Sequence, residues 1–341
     1  MDYIDLRSDT VTKPTKAMLD SIATTTLGDD VYEDDEITAK LEDLAAKKVG
    51  KEAAIFTPSG TMANQIAILC HTNRGDEIIL SFDHHIVAHE VGGAALLSGV
   101  NYNLVNNLDS IITSKDIEAR FRDPEDIHYP SSSLVCLENP LGTGKVVSID
   151  IMADAYRKAK ELGLNVHLDG ARLFNAATYL NVDPKELASY TDTLMFCLSK
   201  GLCAPIGSML CGDASFIKKA RKYRKLLGGG MRQVGVLAAP GIIALLQMTK
   251  RLHTDHQNAK ILGEALSKIK GIEIDLDKIH INLVFFKIVK EAFDHENFVT
   301  SLLNKGIKVN SHDDNVYRFV THNDITIDNI NFVIQEVERL L

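Results

Sequence analysis

What most constrains this chain is a repeated alternation: short apolar runs, each ending in a polar residue, separated by stretches whose apolar positions have helical spacing. Runs at 77–81, 101–105, 133–137, 165–168, 193–198 and 208–211 have the length of buried strands, and 38–49, 61–71, 86–97 and 150–162 read as helices. In the first of these helices Leu41, Leu44 and Ala45 fall on one face, and Gly50 supplies a stop. Strands joined through helices pair in parallel and need cover on both faces. The pattern therefore predicts an α/β fold, a mostly parallel mixed sheet flanked by helices. Beyond Gly230 the texture changes. A long helical pattern runs to about residue 269, and short strands near Ile272, Leu283, Ile307 and Tyr317 then group with helices at 297–303 and 328–340. That segregation predicts a smaller C-terminal α+β domain. The expected division is an N-terminal arm and large domain over 1–245 and a small domain over 246–341.

With 341 residues the chain can bury a full core in each part, and its net charge of -9 argues against nucleic acid, which needs a concentrated basic face. The one basic cluster, Lys218, Lys219, Arg221, Lys222, Arg224 and Lys225, has the spacing of a solvated helix face. No apolar stretch is long enough to span a bilayer, since the longest, around 234–246, is interrupted by Pro240 and Gly241. The acidic start lacks the apolar region of a secretory signal, and a cytoplasmic location is expected. Cys70, Cys136, Cys197, Cys203 and Cys211 are odd in number and form no C-x-x-C pair, as expected of reduced, buried thiols.

In open α/β sheets ligands gather beyond the carboxyl ends of strands, so polar residues directly after apolar runs are the first candidates for chemistry. Asp169, Lys200 and the pair Glu138 and Asn139 occupy such positions. Lys200, flanked by Leu198, Leu202 and Pro205, is expected in partly desolvated surroundings, which lower an amine's pKa and favour a Schiff base with a carbonyl compound. Ser59, Gly60 and Thr61 precede a helix, where free backbone N–H groups and hydroxyls can cradle one phosphate. Taken alone, those three residues read as a plain N-cap. A phosphate cradle, a Schiff-base lysine and a strand-end carboxylate able to pair a pyridinium nitrogen are together what pyridoxal 5'-phosphate requires.

The chain resembles the threonine aldolases among the pyridoxal-phosphate enzymes of the aspartate-aminotransferase fold type. The likeness runs nearly end to end, through Leu-Arg-Ser-Asp-Thr-Val-Thr (6–12), Gly-Asp-Asp-Val-Tyr (28–32), Ser-Gly-Thr-Met-Ala-Asn (59–64), His-Leu-Asp-Gly-Ala-Arg-Leu (167–173), Ser-Lys-Gly-Leu (199–202), Leu-Gly-Gly-Gly-Met-Arg-Gln (227–233) and Arg-Phe-Val-Thr-His (318–322). The resemblance implies that Lys200 holds the cofactor, that Asp169 keeps its pyridine nitrogen protonated, and that Ser59, Gly60 and Thr61 contact its phosphate. Ser8, Arg172 and Arg318 match groups around the substrate carboxylate. Lys225 and Arg232 match residues that a neighbouring subunit offers, in a homotetramer built of dimers. His85 matches a histidine stacked on the cofactor ring near the substrate hydroxyl, and His128 a second one near that hydroxyl. Either could act as the base. The remaining histidines are expected mostly at the surface, and Gly201 is expected to let the backbone pass close to the cofactor.

The implied reaction cleaves the Cα–Cβ bond of L-threonine or L-allo-threonine to glycine and acetaldehyde, by way of an external aldimine and a quinonoid carbanion. A β-eliminating lyase or an amino-acid racemase of the same fold is the alternative. A cofactor-carrying protein that has lost catalysis is a more distant one. No metal is expected: His85 and His89 are four apart on one helix face with Glu90 adjacent, but the H-E-x-x-H zinc pattern is absent because Ile86 stands at the glutamate position. Residues 141–146, Leu-Gly-Thr-Gly-Lys-Val, lack the full phosphate-loop and dinucleotide signatures and read as a turn. Three departures from the family pattern lie near the expected pocket or interface. Glu-Asn-Pro-Leu-Gly (138–142) lacks the family's histidine, His89 replaces an aromatic residue, and Glu33 follows Tyr32 where glycine is usual.

Overall fold

The structure, a computed structural model, describes residues 3–341. In chain order its elements are β1 (Ile4–Asp5), α1 (Lys16–Thr24), α2 (Glu36–Val49), β2 (Ala53–Thr57), α3 (Gly60–His71), β3 (Glu77–Ser81), α4 (His85–Ala88), β4 (Asn101–Val105), α5 (Ser114–Arg120), β5 (Ser132–Glu138), α6 (Ile149–Glu161), β6 (Asn165–Asp169), α7 (Leu173–Leu180), α8 (Pro184–Ser189), β7 (Thr193–Cys197) and β8 (Ser208–Gly212). There follow α9 (Ala214–Leu226), α10 (Gly235–Gln247), α11 (Leu252–Leu266), β9 (Ile272–Glu273), β10 (Leu283–Ile288), α12 (His295–Asn304), β11 (Ile307–Lys308), β12 (Val316–Val320) and α13 (Ile327–Leu340).

Seven strands form the central sheet in the order β2-β8-β7-β6-β5-β3-β4. Only β8 runs against its neighbours, so the sheet is mixed but mostly parallel, as the alternation predicts. Helices cover both faces. On α2, Asp35 caps the first turn by accepting from the Thr38 N–H at 2.9 Å, the buried stripe is Leu41, Ala45 and Val49, and Gly50 closes the helix at φ 67°. That stripe packs on α10 so closely that a Cβ at Gly241 would lie 2.9 Å from Leu41 Cδ2.

The long helical pattern expected to about residue 269 divides into α10, a 3-10 turn at Met248–Lys250 and α11, and the sequence pattern differs from the structure in two further places. Strand β2 carries no strong sequence signal because it opens on Ala53 and Ala54, which have little β preference. The helix predicted over 86–97 is broken: after α4 the chain passes through left-handed φ values at Val91 (56°) and Gly92 (68°), then makes a π-turn over Ala94–Ser98. The break turns the Glu90 side chain into the interior, where it is buried.

A second core gathers Leu262, Leu266, Phe286, Phe298, Tyr317, Phe319 and Val333 under the antiparallel sheet β12-β10-β9. Residues 4–6 of the arm belong to this layer, since β1 pairs in parallel with β11 and Leu6 is buried in the second core. Along α11, Leu252 packs into the first core, whereas Ala259, Leu262 and Leu266 pack into the second.

Candidate active site

Strand order in the large sheet reverses between β3 and β5, each of which is followed by a connection to a different side. Crevices at such switch points are where open α/β sheets bind ligands. Here His85, the first residue of α4, meets Glu138, the last of β5: the His85 backbone N–H donates to Glu138 Oε2 at 2.7 Å. Glu138 is paired in register with Asp169 on β6, so two carboxylates sit side by side at the strand ends. Burial, and then repulsion from Asp169, pushes the Glu138 carboxyl up to about 8.

Asp169 is buried and held from two directions. Its Oδ1 accepts from the Ala171 N–H at 3.0 Å and its Oδ2 from Asn64 Nδ2 at 2.8 Å. The same Asn64 nitrogen donates to Glu90 Oε1 at 2.8 Å, and Asn64 Oδ1 lies 3.1 Å from His167 Nε2. His167 Nδ1 continues to the Thr193 hydroxyl at 3.0 Å, which also meets His71 Nε2 at 2.9 Å. Burial lowers the two imidazoles to about 3 for His167 and about 4 for His71, so both are neutral. Since Asn64 presents its carbonyl oxygen to His167, the proton of that ring sits on Nε2.

His85 projects its half-buried ring over this group. Its Nδ1 lies 2.9 Å from Glu90 Oε1, and the exposed His89 ring stands 5.4 Å away, centroid to centroid. Hydrogen bonding to Glu90 raises the His85 pKa above the usual histidine value, against an opposing effect of burial. His85, Glu90 and Asp169 bring ligand atoms within 4.8 Å of one another. Hydrogen bonds among them already organise this cluster: Asn64 Nδ2 lies between the two carboxylates and His85 faces Glu90.

Lys200 lies in the connection between the antiparallel strands β7 and β8, half-buried. Its carbonyl accepts from the Cys203 N–H at 2.9 Å, with Cys203 at φ 65°. The turn then returns through Gly207, at φ 108°, where a Cβ would collide with the Phe56 ring at 2.3 Å. Charged groups, as well as apolar ones, surround the amine: its charge acts on both Asp9 and His85. The neighbouring thiols are packing residues. Cys197 and Cys203 are buried, and burial lifts the Cys203 thiol to about 12. A Cβ at Gly201 would point at Leu252 Cδ2, 3.3 Å away, so the small residue also lets this turn lie close to α11.

The substrate-side residues are linked by one the sequence pattern did not single out. Asp9 is fully buried and accepts from Arg172 Nε and Nη2, both at 2.7 Å, and from Asn282 Nδ2 at 3.3 Å. Burial alone would raise its pKa, but the Arg172 guanidinium outweighs that and holds the carboxyl well below its usual range. Arg318, on β12, lies within electrostatic reach of Arg172 and Asp9 and donates to the Arg7 carbonyl at 3.2 Å. Ser8 Oγ accepts from the Thr10 N–H at 3.2 Å.

Ser59 caps α3 by accepting from the Met62 N–H at 3.2 Å. The N-terminal turn of this helix begins with Gly60 and the exposed Thr61. Gly60 packs inward, since its Cβ would come within 2.7 Å of Met195 Cε. Three candidates lie at the surface of the single chain: His128, whose Nδ1 meets Asp126 at 2.8 Å; Lys225, in the last turn of α9; and Arg232, paired with Asp29 at 3.2 Å.

Sequence reasoning missed Asn64, Gln65, Asp9 and Asn282 as site-building residues, and placed Glu90 only in the metal grouping with His85 and His89. Asn64 and Asp9 lie inside the family motifs, the one signal the sequence carries for them. The expectation that most other histidines are at the surface is overturned: His84, His167, His256 and His322 are buried, while His89 and His253 are exposed. In 138–142, Asn139 clamps the turn by accepting from the Val147 N–H at 3.1 Å and donating to the Val147 carbonyl at 3.0 Å. Leu141 fills core space, and the backbone turns there through a Gly144 N–H bond to the Leu141 carbonyl at 2.8 Å.

The donor set fits pyridoxal phosphate. After accepting from Asn64 and Ala171, Asp169 keeps lone pairs for a pyridinium N–H, and an N-terminal helix turn, an imidazole face and an amine lie in the neighbouring connections.

The sequence model of the beta-eliminating lyase family matches residues 5–289. Low-specificity L-threonine aldolase 1 of Arabidopsis thaliana is 40% identical over 340 residues, spanning 98% of this chain and 95% of that protein. Low specificity L-threonine aldolase of Escherichia coli K12 is 42% identical over 288 residues, or 84% of this chain and 85% of that one. Among solved structures, the threonine aldolase of Leishmania major superposes with a TM-score of 0.85 at 21% identity and covers 99% of both chains. A structure of SPT with PLP superposes at 0.76, with 16% identity, over 99% of this chain and 87% of that one. At such identities the likeness is one of fold.

Proposed function

The chain belongs to the beta-eliminating lyase family, among its threonine aldolases, and from that premise we propose that it is a pyridoxal-phosphate-dependent aldolase. Its reaction is cleavage of L-threonine or L-allo-threonine to glycine and acetaldehyde. The observation that carries this reading is the convergence of His85, Glu138 and Asp169 at the switch point of the sheet, tied together by hydrogen bonds of 2.7–2.9 Å through Asn64 and Glu90.

When bound, pyridoxal phosphate supplies an aldehyde carbon for amine exchange and a ring that accepts the electron pair left on Cα. Lys200 is the residue that would hold the cofactor through its amine. Asp169 keeps a proton on the pyridine nitrogen. The α3 N-terminus with Ser59, Gly60 and Thr61 binds the phosphate by hydrogen bonds and its positive end. Arg172, Arg318 and Ser8 grip the substrate carboxylate and so orient the bond to be broken. Asp9 already occupies the Nε and Nη2 hydrogens facing it, which leaves the remaining Arg172 donors for that carboxylate. His85 takes the β-hydroxyl proton at Nε2. As the Cα–Cβ electrons move to Cα, the hydroxyl oxygen becomes the carbonyl of the departing aldehyde, and a proton delivered to Cα completes glycine. His128 is the second candidate for that base.

Exposure of Lys225 and Arg232 supports a homotetramer in which a neighbour extends them toward the site. No helix among the described residues is long and apolar enough to cross a membrane, and the five free, buried cysteines support a reducing, cytoplasmic setting. The family's own description favours a second reading, elimination at Cβ. Purified protein incubated with L-threonine, L-allo-threonine and L-serine separates the two: acetaldehyde and glycine support the aldolase, whereas pyruvate from serine without aldehyde from threonine overturns it.

A further inference from the structure

Glu90 is one residue beyond His89 in sequence, yet its side chain is buried while His89 is exposed. The reversal follows from the left-handed turn at Val91 and Gly92, a backbone conformation that a β-branched residue adopts at a cost. The turn puts the Glu90 carboxylate among three nitrogen groups. Gln65 Nε2 lies 2.6 Å from Oε2, and Asn64 Nδ2 and His85 Nδ1 lie 2.8 and 2.9 Å from Oε1. Gly93 makes room for this arrangement, since a Cβ there would stand 3.0–3.2 Å from the Gln65 amide.

We propose that Glu90 is a positioning residue for the reaction, fixing the tautomer and orientation of His85 and, through Asn64, joining His85 to Asp169 in one hydrogen-bonded unit. Both Glu90 oxygens serve as acceptors for the two side-chain amides, so the hydrogen between Glu90 and His85 is carried by Nδ1. Nε2 of the neutral ring is then the nitrogen with a free lone pair. An imidazole without this partner would divide its population between two tautomers, one with no base to offer at Nε2. The bridge is specific, because Asn64 Nδ2 spends its hydrogens on Glu90 and Asp169 while its oxygen is committed to His167.

Several groups face His85. Glu90 approaches from the turn after α4, Asp169 from β6, Glu138 from β5, Lys200 from the β7–β8 connection, and His89 from α4's own end. Glu90 is the closest of the acids to the ring. Removing its charge in Glu90→Gln should therefore shift His85 titration down by about one pH unit.

The inference rests on the proposed role of His85 as base, and its test separates the two. In the holoenzyme labelled with 15N-histidine, with the His85 signals assigned by their loss in His85→Asn, wild-type His85 should be protonated at Nδ1 when neutral. In Glu90→Gln it should titrate about one unit lower, with kcat reduced at least about tenfold and KM changed less than about threefold. Protonation at Nε2 in the wild type, a measurement that needs no variant to fold, would overturn the proposal. So would an unmoved titration in Glu90→Gln. If titration shifts as expected while the acid limb of kcat/KM stays in place, Glu90 still positions the ring, and it is the assignment of His85 as base that fails.

Discussion

Asp9 and Arg172, 163 residues apart in sequence, are joined by two hydrogen bonds of 2.7 Å each, the carboxylate fully buried and the guanidinium nearly so. The pair fastens the N-terminal arm to the strand-end loop that follows Asp169. Asn282 adds a contact from the connection before β10. Removing one partner of such a pair leaves the other charge buried without compensation, at a cost of about 3–5 kcal/mol. Asp9→Ala should lose stability on that scale in denaturant unfolding, and should raise KM for threonine more than it lowers kcat. The pH dependence of the pair has a definite sign. Because the folded-state pKa of Asp9 lies below the unfolded value, near 3.8, its contribution is complete above that value and is lost as pH falls toward the folded one. Asp9→Asn, measured by unfolding from pH 6 downward, should show a shallower acid limb than the wild type. An unchanged limb would mean that other carboxylates govern acid unfolding.

Lys200→Ala should eliminate the visible absorbance of lysine-bound cofactor and with it turnover. A variant that keeps both would refute the assignment of the amine. Cofactor retained by Lys200→Ala through the phosphate cradle and Asp169 alone should be removable by dialysis, since no covalent bond remains.

Much of this site was legible in the sequence because strand ends are local features. Asp169 and Lys200 follow apolar runs that the structure reproduces as β6 and β7, and Ser59 caps the helix it precedes. Hidden were the contacts made only by folding. Glu90 reads in sequence as a continuation of a helix, and its inward turn depends on two left-handed residues, of which Gly92 favours that conformation but Val91 does not. Asn64 reads as one more residue of an apolar helix, although it lies 105 positions from the Asp169 it supports. The Ala53 and Ala54 pair concealed β2 for the opposite reason, being neutral residues made into a strand by pairing with Cys211 and Gly212 of β8.

The two candidate bases can be told apart by pH. Since Glu90 raises the His85 pKa above 6.5, activity that depends on neutral His85 should rise with pH through a value above the ordinary one for histidine. His85→Asn should remove that limb and lower kcat by about 10²–10⁴. His128→Asn, altering an exposed ring that meets Asp126, should leave the limb where it is. The reverse pattern would make His128 the base.

Glu138 offers a test of the paired carboxylates. Its folded-state value, pushed up to about 8 by burial and by Asp169, exceeds the unfolded value of 4.5. The folded protein therefore binds more protons than the unfolded chain between these values, and this residue's contribution weakens as pH rises through that window. Glu138→Gln removes the titration but keeps an oxygen to accept from the His85 N–H. Its stability relative to wild type should improve between pH 5 and 8, in unfolding followed across that range.

The departure at Glu33 has a backbone consequence. Its φ of 62° lies in the left-handed region, where glycine is at ease and other residues are strained by about 1–2 kcal/mol. The side chain is exposed, so its replacement costs little packing. Glycine also gives the unfolded chain more freedom, which offsets about 0.5–1 kcal/mol of the relief. Glu33→Gly should accordingly gain about 0.5–1 kcal/mol. Glu33→Val, whose branched Cβ tolerates the left-handed region poorly, should lose stability. Paired denaturant midpoints for the two variants check both signs, and a midpoint for Glu33→Val at or above that of Glu33→Gly would show that this turn is held by contacts stronger than its backbone preference.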